Sequence, residues 1–266
     1  MRKTAGVLLV VVLSTATLSG CRDAEPPVPV SRSTVPVTVS DPGVVVLRAI
    51  RTGGVGGAGG PGDVPDFSLY ADRRVITRGD DGSALSTRLD QTEFDGLIAA
   101  ASDAGLGKPR RLPEPTSGPV ISDTTNLSFV FAPDGKARKT SVEGVEYDGD
   151  DRARLDQLYD TLVDSSPSSD QPYETERIAL LSEQLVPPED DPGLPWPLRI
   201  RPARQSSYRP TCQLLDPADA RTLTDLLDDN PAALLWSHPT GQFQVRPRPL
   251  LPDEHDCAAL RGVEPV

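Results

Sequence analysis

The chain has 266 residues, with 27 basic and 39 acidic side chains and a formal net charge of −12. So acidic a protein is poorly suited to nucleic acid or to lying flat on an anionic membrane surface. Aromatic residues are 5% and hydrophobic residues 37%, which leaves little apolar surplus to line a large lipid-carrying cavity.

In chain order, the first element reads as an export signal over residues 1–20. Arg2 and Lys3 precede an uncharged apolar run, Ala5 to Leu18, too short and wrongly flanked for a stable spanning helix. Ser19 and Gly20 then precede Cys21. Leu-Ser-Gly-Cys resembles the bacterial lipobox, in which the cysteine is diacylated and left as the first residue after cleavage. A plain secretory signal with an incidental cysteine is the competing reading. Two acyl chains give stable anchoring that one chain does not, each buried methylene contributing about 0.8 kcal/mol. Cys21 is therefore the expected lipid (palmitate) attachment site, on the extracytoplasmic face of the cell membrane. Without Arg2 and Lys3 the mature chain keeps 25 basic against 39 acidic residues.

Residues 21–42 form a Pro-rich lipidated tether, "RDAEPPVPVSRSTVPVTVSDPG" after the cysteine. At about 3.1 Å per residue such a segment holds a folded body up to ~60 Å from the bilayer.

The first folded domain is expected over residues 43–165. "VVVLRAI" (Val44 to Ile50) is a β-branched run with the pattern of a buried strand. The Gly-rich "GGVGGAGGPGD" that follows is a surface loop. It lacks the strand-to-helix setting and the Lys-Ser/Thr of a phosphate loop. "FSLYADRRVITR" is predicted as a hairpin turning near Asp72 to Arg74. A helix follows, with Phe94, Leu97, Ile98 and Ala101 on one face. Thr92 and Asp95 have near capping-box spacing, and Gly105 is a left-handed stop. The order then recurs: "TNLSFVF", a turn at Pro133-Asp134-Gly135, "KARKTSV", and a second helix carrying Leu155, Leu158, Tyr159, Leu162 and Val163. The expected fold class is α+β, with antiparallel sheets built from hairpin–helix (ββα) units and helices packed on one face.

Residues 173–266 read as a C-terminal α+β module. "RIALL" fits a strand or a helix equally, whereas "TCQLL" is a strand. Asp216 followed by Pro217 is a helix start, with Leu223, Leu226 and Leu227 as its buried face. "AALLW" and "FQVRPR" flank a turn at His238 to Gly241. With Cys21 lipidated, Cys212 and Cys257 remain as a pair in an oxidising compartment. Their disulfide closes this module, a constraint of about 4 kcal/mol on the chain-entropy account. A metal site using His238 and His255 is the competing reading, but the usual zinc spacings are absent.

"FSLYADRRVI", "DAGL", "WPL" and the closing "VRPRPLLPDEHDC" resemble an uncharacterised family of actinobacterial envelope lipoproteins. The resemblance is scattered from about residue 44 to Cys257, and the closing phrase is its most specific part. The family carries Gly-Asp-Gly at the first hairpin turn, where this chain has Ala71-Asp72-Arg73. It implies a location, a fold, and a strand rather than a helix at "RIALL". It brings no activity.

Catalytic residues are not singled out. There is no G-x-S-x-G elbow, and His238 and His255 both sit in segments that read as exposed. Acidic patches at Glu189-Asp190-Asp191 and Asp148 to Asp151 lack calcium-loop spacing. No metal or cofactor is expected. The expectation is a non-catalytic binding or scaffolding lipoprotein that meets an envelope protein or cell-wall partner. Its expected contacts are the Gly-rich loop at 53–62 and the turns around Asp72 and Asp134. The alternative is an envelope hydrolase using a carboxylate pair or a histidine.

Overall fold

Alternating apolar side chains build the clearest strands in the computed structural model, such as Thr125–Phe131 and Gly241–Pro249. It describes residues 36–38, 41–54, 59–116, 121–165, 171–186, 188, 190, 193–203, 209–229, 235–260 and 264–265. Cys21, the signal segment and most of the tether lie outside the described residues. Contacts divide the chain into Met1–Arg32 and Ser33–Val266, and every described residue belongs to the second unit.

Strands β1 (Val45–Gly53), β2 (Phe67–Tyr70), β3 (Arg74–Arg78) and β4 (Ala84–Arg88) lead into α1 (Gln91–Asp103). Next, β5 (Arg110–Leu112), β6 (Thr125–Phe131) and β7 (Arg138–Glu143) lead into α2 (Asp150–Asp164). β8 (Gln171–Pro172), β9 (Ile178–Gln184), β10 (Leu194–Pro195) and β11 (Thr211–Leu214) precede α3 (Pro217–Asp229). β12 (Leu235–His238), β13 (Gly241–Pro249), a 3-10 turn at Cys257–Ala259 and β14 (Glu264–Pro265) complete the order. The protein is thus mixed α+β, with two open sheets among the described residues, ordered β5-β7-β6-β1-β2-β3-β4-β8 and β10-β12-β13-β9-β11-β14.

The pairing is antiparallel except at the edges. β5 with β7, β10 with β12, and β11 with β14 are parallel. Each parallel pair includes an edge strand of two or three residues. Pieces this short carry no readable alternation, and none of the three is predicted from sequence. β4 and β8 are further additions.

On one face of the first sheet, Phe67, Ala49 and Phe129 form one cross-strand row and Leu69, Leu47 and Phe131 the next. These side chains share a buried cluster with Phe94, Leu97, Ile98 and Ala101 of α1 and Leu155, Leu158, Tyr159 and Leu162 of α2. Val163 falls at the flank of that stripe and is 37% exposed. The capping box of α1 also differs from expectation. Asp90 accepts from the Glu93 N–H at 2.8 Å, and Glu93 accepts from the Asp90 N–H at 2.8 Å. Thr92 lies inside α1, past its N-cap position, and Asp95 accepts instead from the Gln91 side-chain amide at 2.9 Å. Gly105 ends the helix at φ 89°, with the Leu106 N–H bonded to Ala101 O at 3.1 Å.

"RIALL" is a strand, and its double reading has a cause. Leu180 faces a cluster with Trp236, Phe243, Val245 and Leu223 of α3. Ala179 and Leu181 face the opposite side, with Cys212, Leu250, Cys257 and Leu260. A strand buried on both faces loses the polar alternation that identifies a strand. Cys212 and Cys257 are joined by a disulfide. Asp216 caps α3 by accepting from the N–H groups of Ala218 and Asp219, both at 2.9 Å.

Candidate binding cleft

The closing phrase of the sequence lies between the two sheets. Leu250 packs in the disulfide cluster of the second sheet, while Leu251 packs with Val64, Tyr70, Ile76 and Ala84 of the first. Two charged residues follow, Asp253 and Glu254. "PDEHD" reads as a surface loop from sequence, yet Glu254 is only 4% exposed.

Each of these carboxylates meets an arginine end-on. Arg48, on the face of β1 opposite the helix core, donates from Nη2 and Nη1 to Asp253 Oδ1 and Oδ2 at 2.8 and 2.9 Å. Its Nε donates to Ser68 Oγ at 2.9 Å. The Tyr70 hydroxyl donates to Asp253 Oδ1 at 2.8 Å. Burial raises the pKa of an isolated carboxyl, but Arg48 and Tyr70 together hold Asp253 below its usual range. Burial pushes the Tyr70 hydroxyl strongly up, so it stays a proton donor. Arg248 of β13 makes the second fork, donating to Glu254 Oε2 and Oε1 at 2.5 and 2.8 Å. Glu254 Oε2 also accepts from the Leu251 N–H at 2.7 Å.

These pairs border a cleft of about 400 Å³ on the outer face of the first sheet. Arg48, Ile50 and Thr52 of β1, Val130 of β6 and Lys139 of β7 line its floor. The end of the Gly-rich loop, Gly59 to Val64, lines one side, and Ala259 and Leu260 line another. Gly59 lies so close to β1 that an added Cβ would sit 2.2 Å from Arg51 O, and its φ is 71°. Asp63 fastens the loop end, pairing with Arg78 at 3.4 Å and with Arg246 of β13. Asp66 just beyond is held by Arg78 at 2.6 Å and by the Arg51 N–H at 2.6 Å.

The other residues considered from sequence lie elsewhere. His238 ends β12 and is half-buried rather than exposed, its Nδ1 2.7 Å from Thr240 Oγ1, and stacks edge-on against Phe243. His255 is exposed. Neither histidine lines the cleft. Asp72 pairs with Arg88 and Arg74, and Asp134 with Arg138, so both carboxylates serve their own turns. Asp150 and Asp151 occupy the first turn of α2, where the helix dipole favours anions. Of Glu189-Asp190-Asp191, only Asp190 lies within the described residues. Among the described residues no group of three or more His, Cys, Asp or Glu is placed to hold a metal ion, and no helix is long and apolar enough to cross a membrane.

Sequence reasoning missed Arg48, Asp253, Arg248 and Glu254. One signal was available: a lone arginine inside "VVVLRAI" has to be paired if the strand is buried. The identity of its partner was not readable, because Asp253 is 205 residues away. No family model, curated protein or solved structure matches this chain. The functional reading therefore rests on the residues and their geometry.

Proposed function

We propose that this chain is a lipid-anchored extracytoplasmic protein of the cell envelope that acts by binding, with Cys21 as the acylated residue and the cleft end of the body as its contact surface. The observation that carries this reading is the polarity of β1. The chain enters at its Val45 end, where the Thr38 N–H bonds to Pro133 O at 3.1 Å and the Ala71 N–H to Val44 O at 3.0 Å. The turns at Asp72 and Asp134 lie at this entry end, away from the contact surface. The Gly-rich loop lies at the Gly53 end, about 30 Å further along the strand. A tether that joins at one end leaves the other free to face a partner.

Hydrolysis is not favoured by the cleft's carboxylates. A glycosidase-type general acid keeps its proton near neutral pH, whereas Asp253 is held below its usual range, and both Glu254 oxygens face the Arg248 fork rather than open space. Architecture enters the same proposal. β2–β3 with α1 and β6–β7 with α2 are read as two ββα units whose helices cover one face, supported by their common buried cluster. The lipobox-like Leu-Ser-Gly-Cys and the closing "VRPRPLLPDEHDC" support placement among actinobacterial envelope lipoproteins.

Two measurements test the proposal. Mass spectrometry of the mature N-terminal peptide is expected to find a diacylglyceryl mass on Cys21. A photo-crosslinking residue at Thr52 should capture an envelope component that the same residue at Asp134 does not. An unmodified Cys21, or equal capture from the two ends, sinks it.

A further inference from the structure

We propose that the cleft binds a small apolar monocarboxylate, with Lys139 as counter-ion and Ile50 and Val130 as the apolar floor. This rests on the binding reading above and adds the ligand's charge and class.

The sign of the ligand's charge follows from which groups are already committed. Glu254 accepts from both arms of Arg248 and from the Leu251 N–H. Asp63 is shared by Arg78 and Arg246. Among the described residues of the wall a cationic ligand finds no uncommitted carboxylate and would have to displace an arginine fork. Arg48 and Arg248 are equally occupied. Arg48 spends Nε, Nη1 and Nη2 on Ser68, Asp253 and Tyr70, and Arg248 spends its Nε on Gly62 O at 3.1 Å. Lys139 differs: it is exposed, and its ammonium has no ion-pair or hydrogen-bond partner among the described residues.

Register places that ammonium beside apolar surface. Arg48 pairs across to Val130 on β6, and Val130 pairs across to Lys139 on β7. Lys139 therefore lies two strands, about 10 Å, from Arg48, with Val130 between them. A ligand lying on Val130 and Ile50 brings its anionic end to Lys139. Phosphate fits less well, since dianion recognition favours free guanidinium forks or clustered N–H groups, and both forks here are filled. The volume, about 400 Å³, is in the range that encloses a small organic molecule.

The test is calorimetric titration of the full chain with 2-naphthoate, 2-naphthylmethanol and 2-naphthylmethylammonium, which share an apolar body and differ in charge. Naphthoate is expected to bind about fivefold more tightly than the alcohol, and the ammonium more weakly than either. Lys139→Gln should remove the preference for naphthoate without changing the melting temperature, and Val130→Trp should abolish binding of both naphthoate and the alcohol. Ammonium binding as tight as naphthoate, an unchanged affinity in Lys139→Gln, or no naphthoate binding by the folded chain overturns the inference. A chain that crosslinks from Thr52 but ignores naphthoate overturns this inference alone and leaves the binding reading standing.

Discussion

Arg48 and Asp253 are 205 residues apart in sequence, yet they meet in a two-pronged ion pair at 2.8 and 2.9 Å. The pair joins the middle of the first sheet to the segment that closes the second. Its side chains are 15% and 26% exposed, so solvent screens it only in part.

Asp253→Ala should cost about 3 kcal/mol, because it leaves a largely buried guanidinium without its anion. Urea unfolding near neutral pH measures this. A loss below about 0.5 kcal/mol would place the pair among surface bridges of little consequence.

The same carboxylate sets an acid limb. Its folded pKa is depressed, so its contribution is fully present above the unfolded value of about 4 and is lost as pH falls further through the folded value. Asp253→Asn should therefore be less stable near neutral pH and fall less steeply below about pH 4. Parallel limbs in the two proteins would show that Asp253 does not contribute to acid unfolding.

The disulfide holds the 3-10 turn at Cys257–Ala259, and Ala259 and the following Leu260 border the cleft. Cys257→Ala should lower stability by about 2–5 kcal/mol. Non-reducing peptide maps of the wild type should find the Cys212 and Cys257 peptides linked, and free alkylation of both thiols in native protein would contradict the bond.

Two glycines separate close approach from simple backbone freedom. Gly59 and Gly82 both have positive φ, but an added Cβ at Gly82 meets nothing within 4 Å. Gly82→Ala should cost about 1 kcal/mol from conformation alone. Gly59→Ala should cost about 2 kcal/mol or more, since the loop must also lift from Arg51 O. Equal losses in the two variants would mean that the loop does not rest on β1.

Arg73 takes the left-handed conformation, φ 67°, in the turn between β2 and β3. A non-glycine residue in that region bears backbone strain. Arg73→Gly should raise stability by about 0.5–1 kcal/mol, read as a higher denaturant midpoint. No gain would mean that Arg73 contacts offset its backbone cost.

Local patterns determined much of the architecture. The stripe Phe94, Leu97, Ile98, Ala101 marked α1, the alternation Leu127, Phe129, Phe131 marked β6, and three cysteines with one assigned to lipid left a single pair to bridge. Each is a regularity of period two or near 3.6, or simple arithmetic, and each is complete within a short window or a count. Tertiary structure alone decided the rest. The edge strands β5, β10 and β14 are too short to carry a period, β9 hides its alternation because both faces are buried, and the cleft depends on Arg48 meeting Asp253 and Arg248 meeting Glu254. An ion pair leaves a trace in sequence only when its partners are near neighbours, as at Asp134 and Arg138. Between residues 205 apart, only the packing of two sheets against one segment decides which arginine finds which carboxylate.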